Sequence, residues 1–316
     1  MIGCELTGGL GNQFFRYAYA RNLQVERGMI DDLLLSIHAD YHGQNSDIRD
    51  FQLKNHVVIK TKNILLEKGY WWQILIFIVA KYSRSILYRI FNNSRAQDLE
   101  YYILGKSGII VSYNPDNENL CPPPSYLKRI FTRGNFENYN YFKSVKTELL
   151  NEFTPKHSEL ERNKNLYNII RNTNSICLAV RRGDFMVGNN KKVFYVCDLN
   201  YYKKAIEYMC SVVENPTFIV FSNDIDWVKQ NISIDGNVYY ESGEDPVWET
   251  YRLMYSCKHF IISNSTLHWW AQEKGSFYGK IVVSPDRWYN APGWENHLLK
   301  DSFVKLPTGV ANPYKK

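Results

Sequence analysis

Six cysteines, Cys4, Cys121, Cys177, Cys197, Cys210 and Cys257, lie scattered through 316 residues without one Cys-x-x-Cys pair. That excludes a zinc ribbon and a disulfide-stapled small domain, and it fits a reducing compartment. The seven histidines form neither His-Glu-x-x-His nor His-x-His, and no Asp-x-Asp pair precedes a short strand. A catalytic metal therefore has no visible ligand set, so a metal-independent site without a cofactor is expected. No apolar run reaches the roughly 20 residues of a spanning helix. No basic stretch followed by an apolar one opens the chain, so no secretory signal is expected and the cytoplasm is the expected location. Lys and Arg exceed Asp and Glu by only 38 to 32, a net charge of +6, and they do not cluster. With no helix-turn-helix or RNA-binding signature either, a nucleic-acid partner is excluded, and the mild positive bias suits an anionic small molecule or membrane surface.

The length exceeds what one core usually supports, so two domains are expected. Hydrophobic residues at 45% suffice for both cores, and most of the 24 tyrosines and 8 tryptophans should pack within them. A strand, turn and helix fill residues 1–30. A Leu33-Leu34-Leu35 strand follows, then a polar loop from Ser36 to Asp50. Ile109 to Tyr113 reads as a strand, Cys121-Pro122-Pro123-Pro124 as a loop, and Phe136 to Asn151 as a helix presenting Tyr141, Phe142, Val145, Leu149 and Leu150. The Lys-, Asn- and Glu-rich residues 152–174 hold the domain boundary, drawn at 170/171. Beyond it, strands (176–180, 217–221, 238–240, 260–263, 280–284) alternate with helices (201–213, 226–231, 246–257, 266–273). This α/β pattern predicts a doubly wound parallel sheet.

Leu178-Ala179-Val180-Arg181-Arg182-Gly183-Asp184 is an apolar strand delivering two guanidinium groups and a carboxylate into the next turn. Guanidinium forks match phosphate oxygens and stay charged, and open α/β sheets bind ligands beyond the carboxyl ends of their strands. A surface turn with a local Arg-Asp ion pair is the plainer reading. Two other strands end alike: Phe221-Ser222-Asn223-Asp224, followed by Trp227, and Phe260 to Ser263 running into Asn264-Ser265-Thr266. Asn264 or Ser265 would cap the following helix, whose Trp269 and Trp270 are mainly structural. In a parallel sheet all three polar clusters collect along one edge, which argues for a nucleotide pocket. The N-terminus, Cys4-Glu5-Leu6-Thr7-Gly8-Gly9-Leu10-Gly11-Asn12-Gln13, offers a second anion-friendly or sugar-friendly strand-to-helix turn. Its spacing matches neither the dinucleotide fingerprint nor the P-loop.

Together, Gly-Gly-Leu-Gly-Asn-Gln at 8–13, Arg-Arg-Gly-Asp at 181–184, Phe-Ser-Asn-Asp-x-x-Trp at 221–227 and Asn-Ser-Thr-x-x-Trp-Trp at 264–270 resemble the family 11 glycosyltransferases, the α-1,2-fucosyltransferases. Their order matches the family's. One departure is Ala179, where the family usually carries His. The resemblance implies a two-domain GT-B-like fold: residues 1–170 on the acceptor side, with a helical insertion around 70–105, and residues 171–316 binding the nucleotide sugar. It implies inverting transfer of L-fucose from GDP-fucose to the 2-hydroxyl of a galactoside; a mildly basic chain without a spanning segment suits work on a lipid-carried acceptor in surface polysaccharide or O-antigen assembly.

In that frame Arg181 and Arg182 neutralise the diphosphate, and Asp184 orients an arginine. Asn12 polarises the acceptor hydroxyl or touches phosphate, and Gly8, Gly9, Gly11 and Gln13 shape its wall. Ser222, Asn223, Asp224, Asn264, Ser265 and Thr266 complete the donor site. Glu5, Asp184 and Asp224 are the candidates for a general base. A transferase using another GDP or UDP sugar, or a non-catalytic relative, are the alternatives. The aromatic, basic stretch 70–95 reads either as a helix buried against the first domain or as an amphipathic helix lying on an anionic leaflet.

Overall fold

The computed structural model describes residues 1–37, 48–59, 71–91, 93–112, 120, 122–290 and 297–310. Two compact units are formed, Met1–Gln44 with Leu53–Glu152, and Asn45–Gln52 with Phe153–Lys316.

The first unit contains β1 (Ile2–Leu6), α1 (Leu10–Glu26), β2 (Leu33–Ile37), β3 (His56–Ile59), α2 (Trp71–Ile90), α3 (Asn93–Lys106), β4 (Ile109–Ser112), β5 (Ile130–Gly134) and α4 (Lys146–Glu152). Its five strands are parallel in the order β3-β2-β1-β5-β4. Central β1 is buried at all five positions, as a parallel strand covered on both faces should be. The order reverses beside β1, where β2 lies on one flank and β5 on the other.

The second unit contains α5 (Lys164–Asn172), β6 (Asn174–Val180), α6 (Gly188–Phe194), α7 (Leu199–Val212), β7 (Pro216–Ser222), α8 (Ile225–Asn231), β8 (Asn237–Tyr240), α9 (Val247–Ser256), β9 (His259–Ile261), α10 (Thr266–Lys274), β10 (Val282–Pro285) and β11 (Val304–Leu306). The six strands are again parallel, ordered β11-β10-β9-β6-β7-β8. Counted from β6, this is the 3-2-1-4-5-6 winding of dinucleotide-binding sheets, with its switch point between β6 and β9. Central β6 and β7 are buried apolar runs, whereas edge strand β8 alternates exposed and half-buried residues. Ile176, Leu178 and Val180 pack with Tyr201, Ala205 and Met209 of α7. Asp198 starts that helix by accepting the Tyr201 N–H at 2.9 Å.

Several expectations are corrected. Phe136 to Asn151 is not one helix: two 3₁₀ turns, Tyr139–Tyr141 and Lys143–Val145, precede α4. Phe136 takes a positive φ of 52°, and the Asn138 side chain accepts the Asn140 N–H at 2.9 Å. These local bonds compete with helix. Phe142, Val145 and Leu149 are still buried, but Tyr141 and Leu150 only partly so. Strand β2 takes in Ser36, and Ile48–Asp50 is a 3₁₀ turn, while the rest of the expected polar loop, Tyr113 and Cys121 lie outside the described residues. Cys4 and Cys177 are buried within strands, and five described cysteines are unpaired. The contact boundary falls after Glu152, so α5 belongs with the sheet it precedes.

Candidate functional site

In the second unit the strand ends on either side of the switch point gather the polar residues. Beyond β6 the backbone turns through Gly183 at φ +36°, where an added Cβ would stand 2.1 Å from Asn223 Nδ2. Only glycine fits there. The same Asn223 accepts the Arg182 N–H at 2.9 Å, which ties the β6 turn to the β7 turn. Ser222 Oγ accepts the Asp224 N–H at 3.0 Å and shapes the latter.

The two guanidinium groups are held differently. Arg182 lies 3.4 Å above the Trp227 ring and donates from Nε to Asp224 Oδ2 at 3.3 Å. It is therefore clamped between an aromatic face and a carboxylate. Arg181 donates from Nη2 to Asp184 Oδ1 at 2.6 Å, and both side chains keep access to solvent. The local Arg-Asp pair is thus present, and it places Asp184 where it orients Arg181. Asp224 and Asp226 follow β7 and open α8 rather than preceding a strand. Among the described residues no three His, Cys, Asp or Glu side chains lie together as a metal site.

Beyond β9 the roles divide. Asn264 is buried, its Nδ2 donating to Phe194 O at 2.9 Å and Trp288 O at 2.8 Å, and its Oδ1 facing Cys197 Sγ at 3.7 Å. Its amide braces the loop and has no donor left for a ligand. Ser265 occupies the N-cap position of α10 without a side-chain capping bond. Both Ser265 and Thr266 are half-buried at this helix start, where first-turn N–H groups and the helix dipole favour an anion. Trp269 and Trp270 are fully buried, Trp269 donating to Leu298 O at 2.8 Å.

Sequence reasoning left His268 without a role. It is buried, its Nδ1 lies 2.9 Å from Ser263 Oγ, and burial, with the Arg181 charge adding, pushes it down to about 3. The imidazole stays neutral, so the cationic charge at this edge belongs to the arginines. Ala179 is fully buried within β6, opposite Phe221.

The first unit presents its own edge. Gly9 starts α1 with no side-chain cap and no acidic residue in the first turn. At Gly8, φ +81°, an added Cβ would stand 2.9 Å from Asn12 Nδ2, and the Gly8 carbonyl accepts Gln13 Nε2 at 2.9 Å. Gly11 is buried in the helix and Asn12 is half-buried. Next to this turn, a crevice of about 300 Å³ opens at the ends of β1, β4 and β5, lined by Glu5, Thr7, Arg16, Ser112, Arg133 and Asn135 among others. Glu5 pairs with Arg133 at 2.9 Å. Arg16 is buried, donates to Asn135 Oδ1 at 2.9 Å and to Glu5 O at 3.3 Å, and has a buried Nε with no partner. Burial lowers its pKa. Hydroxyl, amide, carboxylate and guanidinium groups around one hollow suit a polyol. Arg16, Arg133 and Asn135 were missed, although Ile130-Phe131-Thr132 followed by Arg133-Gly134-Asn135 carries the same apolar-then-polar signature as β6. A larger hollow of about 500 Å³, lined by Met1, Ile30, Asp31, Asp32, Leu34 and Val57, opens near the strand starts, away from the carboxyl edge where such sheets bind ligands.

A family model described as Glycosyl transferase family 11 matches residues 119–303, more than half of the chain. The O-antigen biosynthesis glycosyltransferase WbnK of Escherichia coli is 27% identical across 97% of this chain and 100% of its own. An alpha-1,2-colitosyltransferase of Escherichia coli is 27% identical across 92% of each. Among solved structures, the fucosyltransferase NodZ from Bradyrhizobium superposes with a TM-score of 0.50 at 12% identity, covering 86% of this chain and 92% of that one. At that identity the likeness concerns the fold, which is GT-B-like.

Proposed function

The chain belongs to glycosyl transferase family 11, and from that premise we propose that it transfers L-fucose, with inversion, from GDP-fucose to the 2-hydroxyl of a galactoside. The setting that the Escherichia coli relative WbnK suggests is O-antigen assembly. One observation carries the donor assignment: two adjacent guanidinium groups stand at the switch point of a 3-2-1-4-5-6 sheet, beside the uncapped start of α10. A sugar nucleotide's pyrophosphate fits that combination of charge and helix N–H groups.

As the glycosidic bond to the diphosphate breaks, negative charge grows on the departing GDP while the fucosyl ring becomes oxocarbenium-like. Arg182, already fixed by Trp227 and Asp224, meets that charge without reorganising. Arg181 reaches the same oxygens from its solvent-accessible position, and Asp184 sets its direction. Asn223 and Ser222 hold the turn, while Ser265 and Thr266 offer the helix start. On the first unit, Asn12 and the wall of Gly8, Gly9, Gly11 and Gln13 serve the acceptor, whose hydroxyls suit the crevice of Glu5, Arg133 and Asn135. The three candidate bases, Glu5, Asp184 and Asp224, each face an arginine. Orienting those arginines is the role their geometry supports.

A second donor has specific support from the colitosyltransferase relative. The deciding experiment incubates purified protein with GDP-fucose or GDP-colitose, a panel of β-galactosides and EDTA, and maps the product linkage by NMR. An α-1,2-fucosyl product formed in EDTA is expected. Preference for GDP-colitose would reassign the donor, and neither product nor GDP release across the panel would remove the transferase reading.

A further inference from the structure

Helix α2 of the first unit has two faces of opposite fate. On one, Gln73 is buried and donates from Nε2 to Ser107 O and Arg129 O, both at 3.2 Å. Ala80, Ile74 and Ile76 of that face pack into the cluster around Tyr101, Leu104 and Ile109. On the other, Trp71, Leu75, Ile78, Tyr82, Ile86 and Ile90 are exposed, Trp71 and Tyr82 by 73% and 75%. Their spacing of three and four residues lines them along one helix face, a stripe of about 30 Å at 1.5 Å per residue. Tyr102 and Ile103 of α3 are exposed as well. An apolar stripe of this size marks an interaction surface.

The charge around it selects the partner. Residues 71–95 contain Lys81, Arg84, Arg89 and Arg95 and not one Asp or Glu. A second copy docked α2 against α2 about a twofold axis would set these cations against themselves, with no acid within residues 71–95 to match them. An anionic surface complements this net positive charge, and Arg89 and Arg95 are exposed. No described helix is long and apolar enough to cross a membrane, and Trp71 and Tyr82 are the amphipathic rings that settle at headgroup level. We infer that the exposed face of α2 lies flat on an anionic phospholipid bilayer, its apolar stripe in the headgroup boundary and its exposed Arg89 at the lipid phosphates. The docking does not depend on which sugar is transferred.

The test is flotation of the full chain with vesicles of phosphatidylethanolamine containing phosphatidylglycerol, against vesicles of phosphatidylcholine alone. Binding to the anionic vesicles is expected to be stronger by roughly a hundredfold, and to weaken steeply with salt. Leu75→Asp with Ile86→Asp should abolish flotation while leaving turnover of a soluble acceptor unchanged. Arg89→Glu with Arg95→Glu, which keeps the stripe intact, should erase the preference for anionic lipid. Absence of flotation by the parent chain, equal binding to both vesicles, or sedimentation as a dimer that Leu75→Asp with Ile86→Asp dissociates, would each overturn the inference.

Discussion

Gly183→Ala is the sharpest single perturbation of the donor edge, because its consequence can be worked out from two features of its geometry. The position has φ +36°, and the new methyl carbon would stand 2.1 Å from Asn223 Nδ2. Holding alanine in the left-handed region costs about 1–2 kcal/mol. Moving the Asn223 amide away breaks its 2.9 Å bond from the Arg182 N–H, worth about 1 kcal/mol. The turn that aims both arginines therefore rearranges or is strained by about 2–3 kcal/mol. If this is felt fully in the transition state, kcat/KM falls roughly thirtyfold or more, and thermal melting drops by about 4–10 °C. GDP release kinetics and calorimetry read the two effects. Adding Asn223→Ala removes the obstructing atom, so the double variant should lose less than the sum of the single losses. Parent-like kcat/KM and melting for Gly183→Ala would refute the proposed rigidity of this turn.

Arg181→Lys keeps the charge but loses the planar fork, and steady-state kinetics should show turnover falling about a hundredfold; full turnover would remove Arg181 from the diphosphate. Asn264→Ala strips two carbonyls of their donor, a loss of about 2–3 kcal/mol, so melting should fall with little change in donor KM. The opposite pattern would make Asn264 a ligand contact. Burial, reinforced by the Asp245 carboxylate, pushes Glu241 up to about 7. The folded chain then holds this proton more tightly than the unfolded one, so stability declines as pH climbs from about 4.5 to about 7, by about 3 kcal/mol at most. Glu241→Gln should therefore raise the melting temperature at about pH 8 and leave it nearly unchanged at about pH 5; equal effects at both would refute the assignment.

The second half of the fold was legible because its strands are short, apolar and separated by helical periodicity. Val180, Ser222 and Ile261 end β6, β7 and β9 within one residue of an abrupt change of polarity. In the first half β3 and β5 escaped notice. His56–Ile59 is a four-residue edge strand, and Ile130–Gly134 follows a proline-rich stretch that reads as loop. Missing β5 meant missing Arg133 and Asn135, and with them the crevice. Sequence also could not separate ligand-facing from bracing polar residues. Asn264 and Asn223 look alike in a strand-end motif, yet one amide is enclosed by two carbonyls and the other joins two turns. That difference is set by chain segments 24 to 70 residues away. Nor did the spacing of residues 70–95 decide which side of α2 is covered, since both faces are rich in apolar residues.

The charges at the donor edge carry a last consequence. Guanidinium groups stay protonated throughout the working range, and His268, pushed down to about 3, never adds a cation above that. A pyrophosphate diester is fully ionised across the same range. The grip of Arg181 and Arg182 on the donor should therefore be indifferent to pH between about 5 and 9, unless a carboxyl two strands away intervenes. Glu241, which follows β8 beside β7, is pushed up to about 7 and can do so. The dissociation constant of GDP measured by calorimetry would mix both effects, because GDP itself titrates at its terminal phosphate. GDP-fucose in the Glu241→Gln background isolates the arginines. There the donor dissociation constant should stay level, and any pH dependence of turnover should reside in the acceptor step. An inflection in donor affinity near neutrality in that background would mean that a titrating group, rather than fixed guanidinium charge, holds the pyrophosphate.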